Sequence, residues 1–399
     1  MSEKRGAAKT RAAKAPAAVK SGAEDAAEAE DPGPAPGAEP DLRKRPARRR
    51  NRVGGKRVDG KIVVNLALQG GGAHGAFTWG VLDRLLEEDD IAIEGVSGTS
   101  AGAMNGAMLT SGLKSGGREE ARRRLVGLWA AVHDRFPLNQ PPWSFFTQLI
   151  PPGLGAAAFD MNPAFVAGEV MTRMISPYQF NPVGLNPLRE VLNDLIDFET
   201  VCRRDEPRLF VCATDVRAGR ARIFQGDEIS VDALLASACL PTLFQAVEID
   251  GREYWDGGYT GNPPIWPLIY NCDSEDVLLV HINPIERDET PTDARGIQNR
   301  MNEISFNSSL MDEMRAIHTI GGLVKSGALP SERYKHMRIH PIEDPEAFRQ
   351  LSVATKMSPE SRILDGLFEA GRGAMDRWLA EHKDKLGAES SVDVREKYL

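Results

Sequence analysis

One serine framed by glycines, at the joint of two elements, constrains this chain most. In "GVSGTSAGAMNGA" (95–107), Ser100 stands between Gly98 and Gly102. The aliphatic stretch "IAIEGVSG" (91–98) leads into it and reads as a strand, and the Ala/Met-rich "SAGAMNGAML" (100–109) leads out as a helix. G-x-S-x-G in that setting is a nucleophile elbow, a sharp turn that presents the serine hydroxyl at the top of a sheet. A Cβ at Gly98 or Gly102 would meet the neighbouring turn. The helix beginning near Ala101 adds its positive end, and the Ala101 N–H is a candidate donor to an oxyanion. The other use of such a serine is as a helix N-cap in a glycine-rich turn. The preceding unit favours the catalytic use.

That unit is built the same way. "KIVVNLALQ" (61–69) reads as a buried strand, and "GAFTWGVLDRLLEE" (75–88) carries Phe77, Val81, Leu82, Leu85 and Leu86 as a helical stripe. Between them lies "GGGAHG" (70–75), whose Gly70, Gly72 and Gly75 fit G-x-G-x-x-G. A dinucleotide site would also need an acid at the end of the second strand to hold a ribose. That strand ends in Val96-Ser97-Gly98, so no nucleotide cofactor is expected. Consecutive glycines beside a helix N-terminus serve better as an anion nest, their N–H groups turned into a cavity. Donors aimed at a developing oxyanion are worth about 2.7–4 kcal/mol each.

Strand, helix, strand, helix with short joints predicts an α/β fold: three layers around a mostly parallel central sheet. Further strands are expected at "RLFVCAT" (208–214), "ARIF" (221–224) and "DVLLVHIN" (276–283), with a helix at "VDALLASACLP" (231–241). Beyond about residue 285 the alternation fades. Ile297, Met301, Ile304, Met311, Met314 and Ile317 recur at helical spacing, and residues 359–382 read as helix. The expected organisation is a tail over 1–60, a catalytic domain over 62–285 and a helical C-terminal extension over 286–399.

Charge divides along the same lines. The net charge is −8, yet residues 1–60 hold 15 Lys/Arg against 9 Asp/Glu, and the first aromatic residue is Phe77. So little apolar surface predicts a disordered tail. Its basic block "RKRPARRRNRVGGKR" (43–57) is either a tether to anionic lipid or nucleic acid, or a solvated linker. The acidic body excludes nucleic acid as an expected partner of the folded part. No stretch has the roughly 18 apolar residues of a membrane span. With no apolar leader, and with Cys202, Cys212, Cys239 and Cys272 widely spaced, a cytoplasmic protein with buried free thiols and no metal is expected. Peripheral contact with a membrane face fits "PPWSFFTQLIPPGLGAAAF" (141–159), which is either a lid with aromatic side chains at lipid depth or a packed loop. Oligomeric state has no signature here.

A serine hydroxyl is a weak nucleophile until a base engages it. His133, His281, His318, His336, His340 and His382 follow Ser100, and none stands in a glycine-rich loop. His74 does, but it belongs to the loop that opens the first helix. "EYWDGGYTGNPP" (253–264) offers Asp256 after a short strand and before Gly257-Gly258. The residues alone leave two readings open, a base aimed at a neighbouring loop or an Asp-Gly hairpin turn.

"GGGAHG", "GTSAG" and "DGG", in that order, resemble the patatin-like phospholipases over about residues 62–285. The resemblance implies a sheet related to the α/β hydrolases and a Ser–Asp dyad without histidine. It carries Ser100 over as nucleophile, Asp256 as base, and Gly71 and Gly72, with Gly70 beside them, as the oxyanion loop. It also makes Gly75, Gly98, Gly102, Gly257 and Gly258 motif glycines. Where the plant-type loop reads D-G-G-G-x-R-G, Gln69 replaces the acid and His74 the arginine. The implied activity is serine acyl-ester hydrolysis of a phospholipid or lysophospholipid, with neither metal nor cofactor. The other class on this fold is a non-catalytic lipid- or protein-binding module. An apolar surround is expected to raise the Asp256 pKa from its ordinary value near 3.9.

Overall fold

The computed structural model describes residues 55–135, 174–349 and 351–399. Most of the charged tail and the 141–159 stretch lie outside the described residues. The sheet contains β1 (Arg57–Val58), β2 (Lys61–Leu68), β3 (Ile91–Thr99), β4 (Arg208–Asp215), β5 (Arg220–Gln225), β6 (Val247–Ile249), β7 (Arg252–Asp256), β8 (Asp276–Val280) and β9 (Arg338–Ile342). Hydrogen-bonded neighbours run β6-β7-β4-β3-β2-β8-β9, with β1 on β2 and β5 on β4. The β9-β8-β2-β3-β4 run is parallel throughout. The helices that matter below are α1 (Gly75–Leu85), α2 (Ala101–Arg135), α3 (Leu188–Leu195), α4 (Val231–Ser237), α5 (Trp266–Asn271), α6 (Ala294–Lys325), α7 (Val353–Lys356) and α8 (Ser361–His382).

Both sheet faces are covered, as the continuous apolar strands require. On β8, Leu278 and Val280 join the core shared with α1, α2, α4 and α8, and Val277 and Leu279 join the core shared with α5 and α6. This period-2 division makes three layers. Among the described residues no helix is long and apolar enough to cross a membrane. None of the four cysteines forms a disulfide; Cys202 is half-buried and the others are buried.

Several elements differ from their expected bounds. Helix α1 stops at Leu85, before Glu87-Glu88-Asp89-Asp90, whose carboxylates would crowd the negative end of the helix. Helix α2 runs through a Ser/Gly-rich stretch to Arg135, with a break at Gly117 (φ 77°). Met314 and Ile317 of α6 are buried, but Ile297, Met301 and Ile304 face solvent. There the buried face is Glu303, Phe306 and Asn307. The largest difference lies beyond residue 285. That segment is helical, and it also supplies β9, parallel to β8. Helix α8 packs on α1 closely enough that a Cβ at Gly371 would lie 2.1 Å from the Phe77 carbonyl oxygen.

Candidate active site

Of the parallel strands, β2, β3, β8 and β9 end at one level. Leu68 of β2 pairs with Gly98 of β3 and Val280 of β8, and Gly98 pairs with Val211 of β4. The chain leaves β2, β3 and β8 at or just above that level while β4 runs on to Asp215, and there the candidate residues collect. Ser100 sits between β3 and α2 with φ 54°, a left-handed conformation rare outside glycine. Local strain of this kind persists only where the surroundings hold it. Two contacts do so. The Ser100 N–H donates to Ser237 Oγ of α4 at 2.8 Å, and Ser237 Oγ donates to the Cys212 carbonyl at 2.6 Å. Gly102 lets α2 start directly against β2, since a Cβ there would lie 2.2 Å from the Leu68 carbonyl oxygen. Gly98 meets the same turn from the strand side.

Register brings Asp256 to this point. A strand has two edges, and β5 occupies one edge of β4 over residues 210–215. The other edge is shared: β3 pairs with it up to Thr99–Cys212, and β7 takes over with Asp256 opposite Ala213. Strands β3 and β7 therefore meet end to end, and the residue after Thr99 is Ser100. The Asp256 backbone is tied on both sides, its N–H to the Cys239 carbonyl at 2.8 Å and its carbonyl to Thr214 Oγ1 at 2.8 Å. Its Oδ1 accepts the Gly258 N–H at 2.7 Å. Gly257 and Gly258 form a short 3-10 turn, so the Asp-Gly pair is not a hairpin.

The other carboxylate oxygen, Oδ2, is buried and makes no hydrogen bond among the described residues. Burial pushes the Asp256 pKa up to about 7, partly offset by the Gly258 N–H, the nearby Ser100 hydroxyl and the Lys356 charge. Ser100 thus lies close enough to favour the carboxylate without an aligned hydrogen bond to it.

The glycine loop packs on the serine: a Cβ at Gly70 would come within 2.8 Å of Ser100 Cβ. The roles inside the loop differ from expectation at one position. The Gly70 N–H donates to Asn262 Oδ1 at 2.6 Å, and the Gly70 carbonyl accepts from Asn283 Nδ2 at 2.8 Å. Gly70 is clamped at both ends, and its N–H is not free to meet an oxyanion. The N–H groups of Gly71, Gly72 and Ala101 find no partner among the described residues. Gly72 has φ 59° and turns the loop into the 3-10 start of α1, and Gly75 packs on Ala101.

The substitution of Gln69 for an acid has a geometric reason. Its Oε1 accepts the N–H of Ile282 at 2.9 Å and of Asn283 at 3.0 Å. Its Nε2 donates to Asn307 Oδ1 at 3.0 Å. A carboxylate has no donor for the second set. His74 is buried, its Nε2 pairs with Thr355 Oγ1 at 2.8 Å, and burial with the nearby Lys356 and Arg287 charges holds its pKa well below 6.5. It is a neutral packing residue. His281 pairs with Tyr398 and His340 with Asp276, and no histidine contacts Ser100 or Asp256 among the described residues.

Sequence reasoning missed Ser237, Asn262, Asn283 and Lys356. Each reaches the site by long-range contact, and none carries a local motif; "VDALLAS" reads as an ordinary apolar helix. The small pocket beside the loop is of mixed character: His74, Arg287, Glu303 and Lys356 share its lining with Pro284, Phe348 and Leu351.

Residues 66–269 match the family model of patatin-like phospholipases. Among solved structures the chain is similar to VipD from Legionella pneumophila, at 16% identity over 85% of this chain and 73% of that one, with a TM-score of 0.39. The family match covers just over half of the 399 residues and contains the elbow, the glycine loop and Asp256, and on that ground the chain belongs to the patatin-like phospholipases.

Proposed function

We propose that this protein is a serine lipid acyl hydrolase working with a Ser100–Asp256 dyad. The observation that carries the reading is the shared edge of β4, where Thr99 and Asp256 oppose consecutive residues and Ser100 follows Thr99. An unpartnered, buried Oδ2 on Asp256 supports its role as proton acceptor. A pKa of about 7 suits a general base at neutral pH.

In this scheme Ser100 Oγ attacks the ester carbonyl carbon as its proton passes to Asp256 Oδ2. The carbonyl electron pair moves onto oxygen, which the N–H groups of Gly71, Gly72 and Ala101 hold. Collapse of the tetrahedral adduct expels the alcohol, which takes the proton from Asp256 and leaves an acyl-serine. Water, deprotonated by Asp256, then attacks the acyl carbon; the bond to Ser100 Oγ breaks, Asp256 returns the proton to that oxygen, and the fatty acid is released.

Phospholipid or lysophospholipid is the substrate class we favour, with peripheral contact at a lipid surface. Ile297, Met301 and Ile304, 44%, 59% and 55% exposed on the α6 turns that also carry Glu303 and Phe306, support that contact.

The test is a fluorophosphonate probe together with a panel of lipids, each offered as vesicles and as dispersed monomers. Wild type is expected to be labelled at Ser100 and to act faster on vesicles. Ser100→Ala is expected to lose both labelling and turnover. Wild type left unlabelled beside a labelled control hydrolase would sink the reading in favour of a non-catalytic binding module.

A further inference from the structure

Helix α7 comes from the C-terminal segment and sits directly on the glycine loop. A Cβ at Gly72 would lie 2.2 Å from the Lys356 carbonyl oxygen. The Lys356 side chain turns inward from there. Its Nζ donates to Asn283 Oδ1 at 2.7 Å and to Asn302 Oδ1 at 3.1 Å, and it lies 5.7 Å from the centre of the Phe306 ring. The same ring packs on Gly258, the residue whose N–H holds Asp256 Oδ1. Asn283 in turn grips the Gly70 carbonyl. Lys356 is therefore built into the wall that joins the glycine loop to the Asp256 turn.

The charges around it are unevenly matched. Glu303 of α6 is taken by Arg287 at 2.6 Å and by Arg300 at 3.1 Å. Lys356 is held by neutral amides, with no carboxylate in salt-bridge contact among the described residues. His74, on the loop side, is neutral. The charges that act on Lys356 are Glu303, already doubly paired, then Arg287, and most weakly Asp256, whose Oδ2 has no hydrogen-bond partner among the described residues.

We propose that Lys356 is a positioning residue of the hydrolytic site, its ammonium pinned by Asn283 and Asn302 as the fixed positive charge that faces the Asp256 carboxylate and sets the pH at which Ser100 is activated. This rests on the reading of Asp256 as base. A buried carboxylate without a nearby cation keeps its proton to higher pH, and while protonated it takes none from serine. Burial also lowers Lys356, to about 8, so it carries its charge at neutral pH.

The test is kcat/KM against pH for the full chain, on a neutral p-nitrophenyl acyl ester, so that no substrate phosphate can meet Lys356. Wild type is compared with Lys356→Met and Lys356→Arg. If the Met variant does not fold, Lys356→Gln replaces it, because a glutamine amide can still donate to the asparagines. In the neutral variant the acid limb is expected to move up by at most about one pH unit, and Lys356→Arg is expected to keep it in place. A lowered plateau with an unmoved acid limb, in an active and Ser100-labelled protein, overturns the proposal and leaves the dyad intact. A wild type that neither hydrolyses the ester nor labels at Ser100 overturns the dyad, and the proposal with it.

Discussion

Asp256 is held in a state that costs stability, the state that the proposed role as base calls for. Its pKa rises from an ordinary 3.8 to about 7 because burial penalises the charge. The native state therefore keeps a proton that the unfolded chain has given up. Stability falls as pH rises through that interval, and the full penalty, a few kcal/mol at about one and a third per unit, is present above about pH 7. Asparagine at 256 keeps an acceptor for the Gly258 N–H and removes the ionisation. Asp256→Asn is therefore expected to lose at least about a hundredfold in turnover. It is also expected to melt several degrees higher than wild type at about pH 8, a gain that shrinks as pH approaches about 4. Thermal unfolding of both proteins across that range checks the sign. A variant less stable than wild type at the alkaline end would mean that the carboxylate is better compensated than its surroundings indicate.

At the scale of the element, the elbow is a place where backbones pack against backbones. The Gly102 position faces the Leu68 and Gln69 carbonyls, at 2.2 Å and 2.7 Å from an added Cβ, and neither can swing aside as a side chain would. Gly102→Ala is expected to cost more than about 4 kcal/mol, or to leave Ser100 displaced and unlabelled. Gly366 on α8 provides the contrast. Nothing lies within 4 Å of an added Cβ there, and the residue is exposed on a helix. Gly366→Ala is expected to stabilise by about 0.5–1 kcal/mol through helix propensity alone. Chemical denaturation of the pair separates the two kinds of glycine. Helix α6 carries the same lesson about pattern. Its apolar period was legible, but its first turns bury Glu303 and Asn307 because they face the polar wall of the site, and they leave Ile297, Met301 and Ile304 outside.

At the scale of the whole molecule, the segment beyond residue 285 packs into the same sheet and core as the family-matched region. It adds β9 to the edge of β8, lays α8 across α1, and lowers Lys356 onto the glycine loop. A chain ending at residue 285 would expose the β8 edge and the faces of Phe77, Val81 and Leu85 that α8 covers. It is expected to be insoluble or to lack a cooperative thermal transition, which circular dichroism and sedimentation would reveal. A stable, labelled fragment would instead make residues 286–399 a true appendage.

The sequence by itself determined the α/β alternation, the serine at a strand–helix corner, the glycine loop and the acid at a strand end. Each is written within a few neighbouring residues, because turn chemistry, capping and hydrophobic period act over that range. Gln69 and His74 could be seen as departures, but not what they do. Tertiary structure alone decided that β7 continues the edge left by β3. It also gave the Gly70 N–H to Asn262, set Ser237 behind Ser100, and brought a lysine more than 250 positions downstream to the loop. Those contacts join amides, hydroxyls and an ammonium whose partners lie far along the chain. Such groups leave no local pattern, since their place is set by which backbone groups the packed layers leave unpaired.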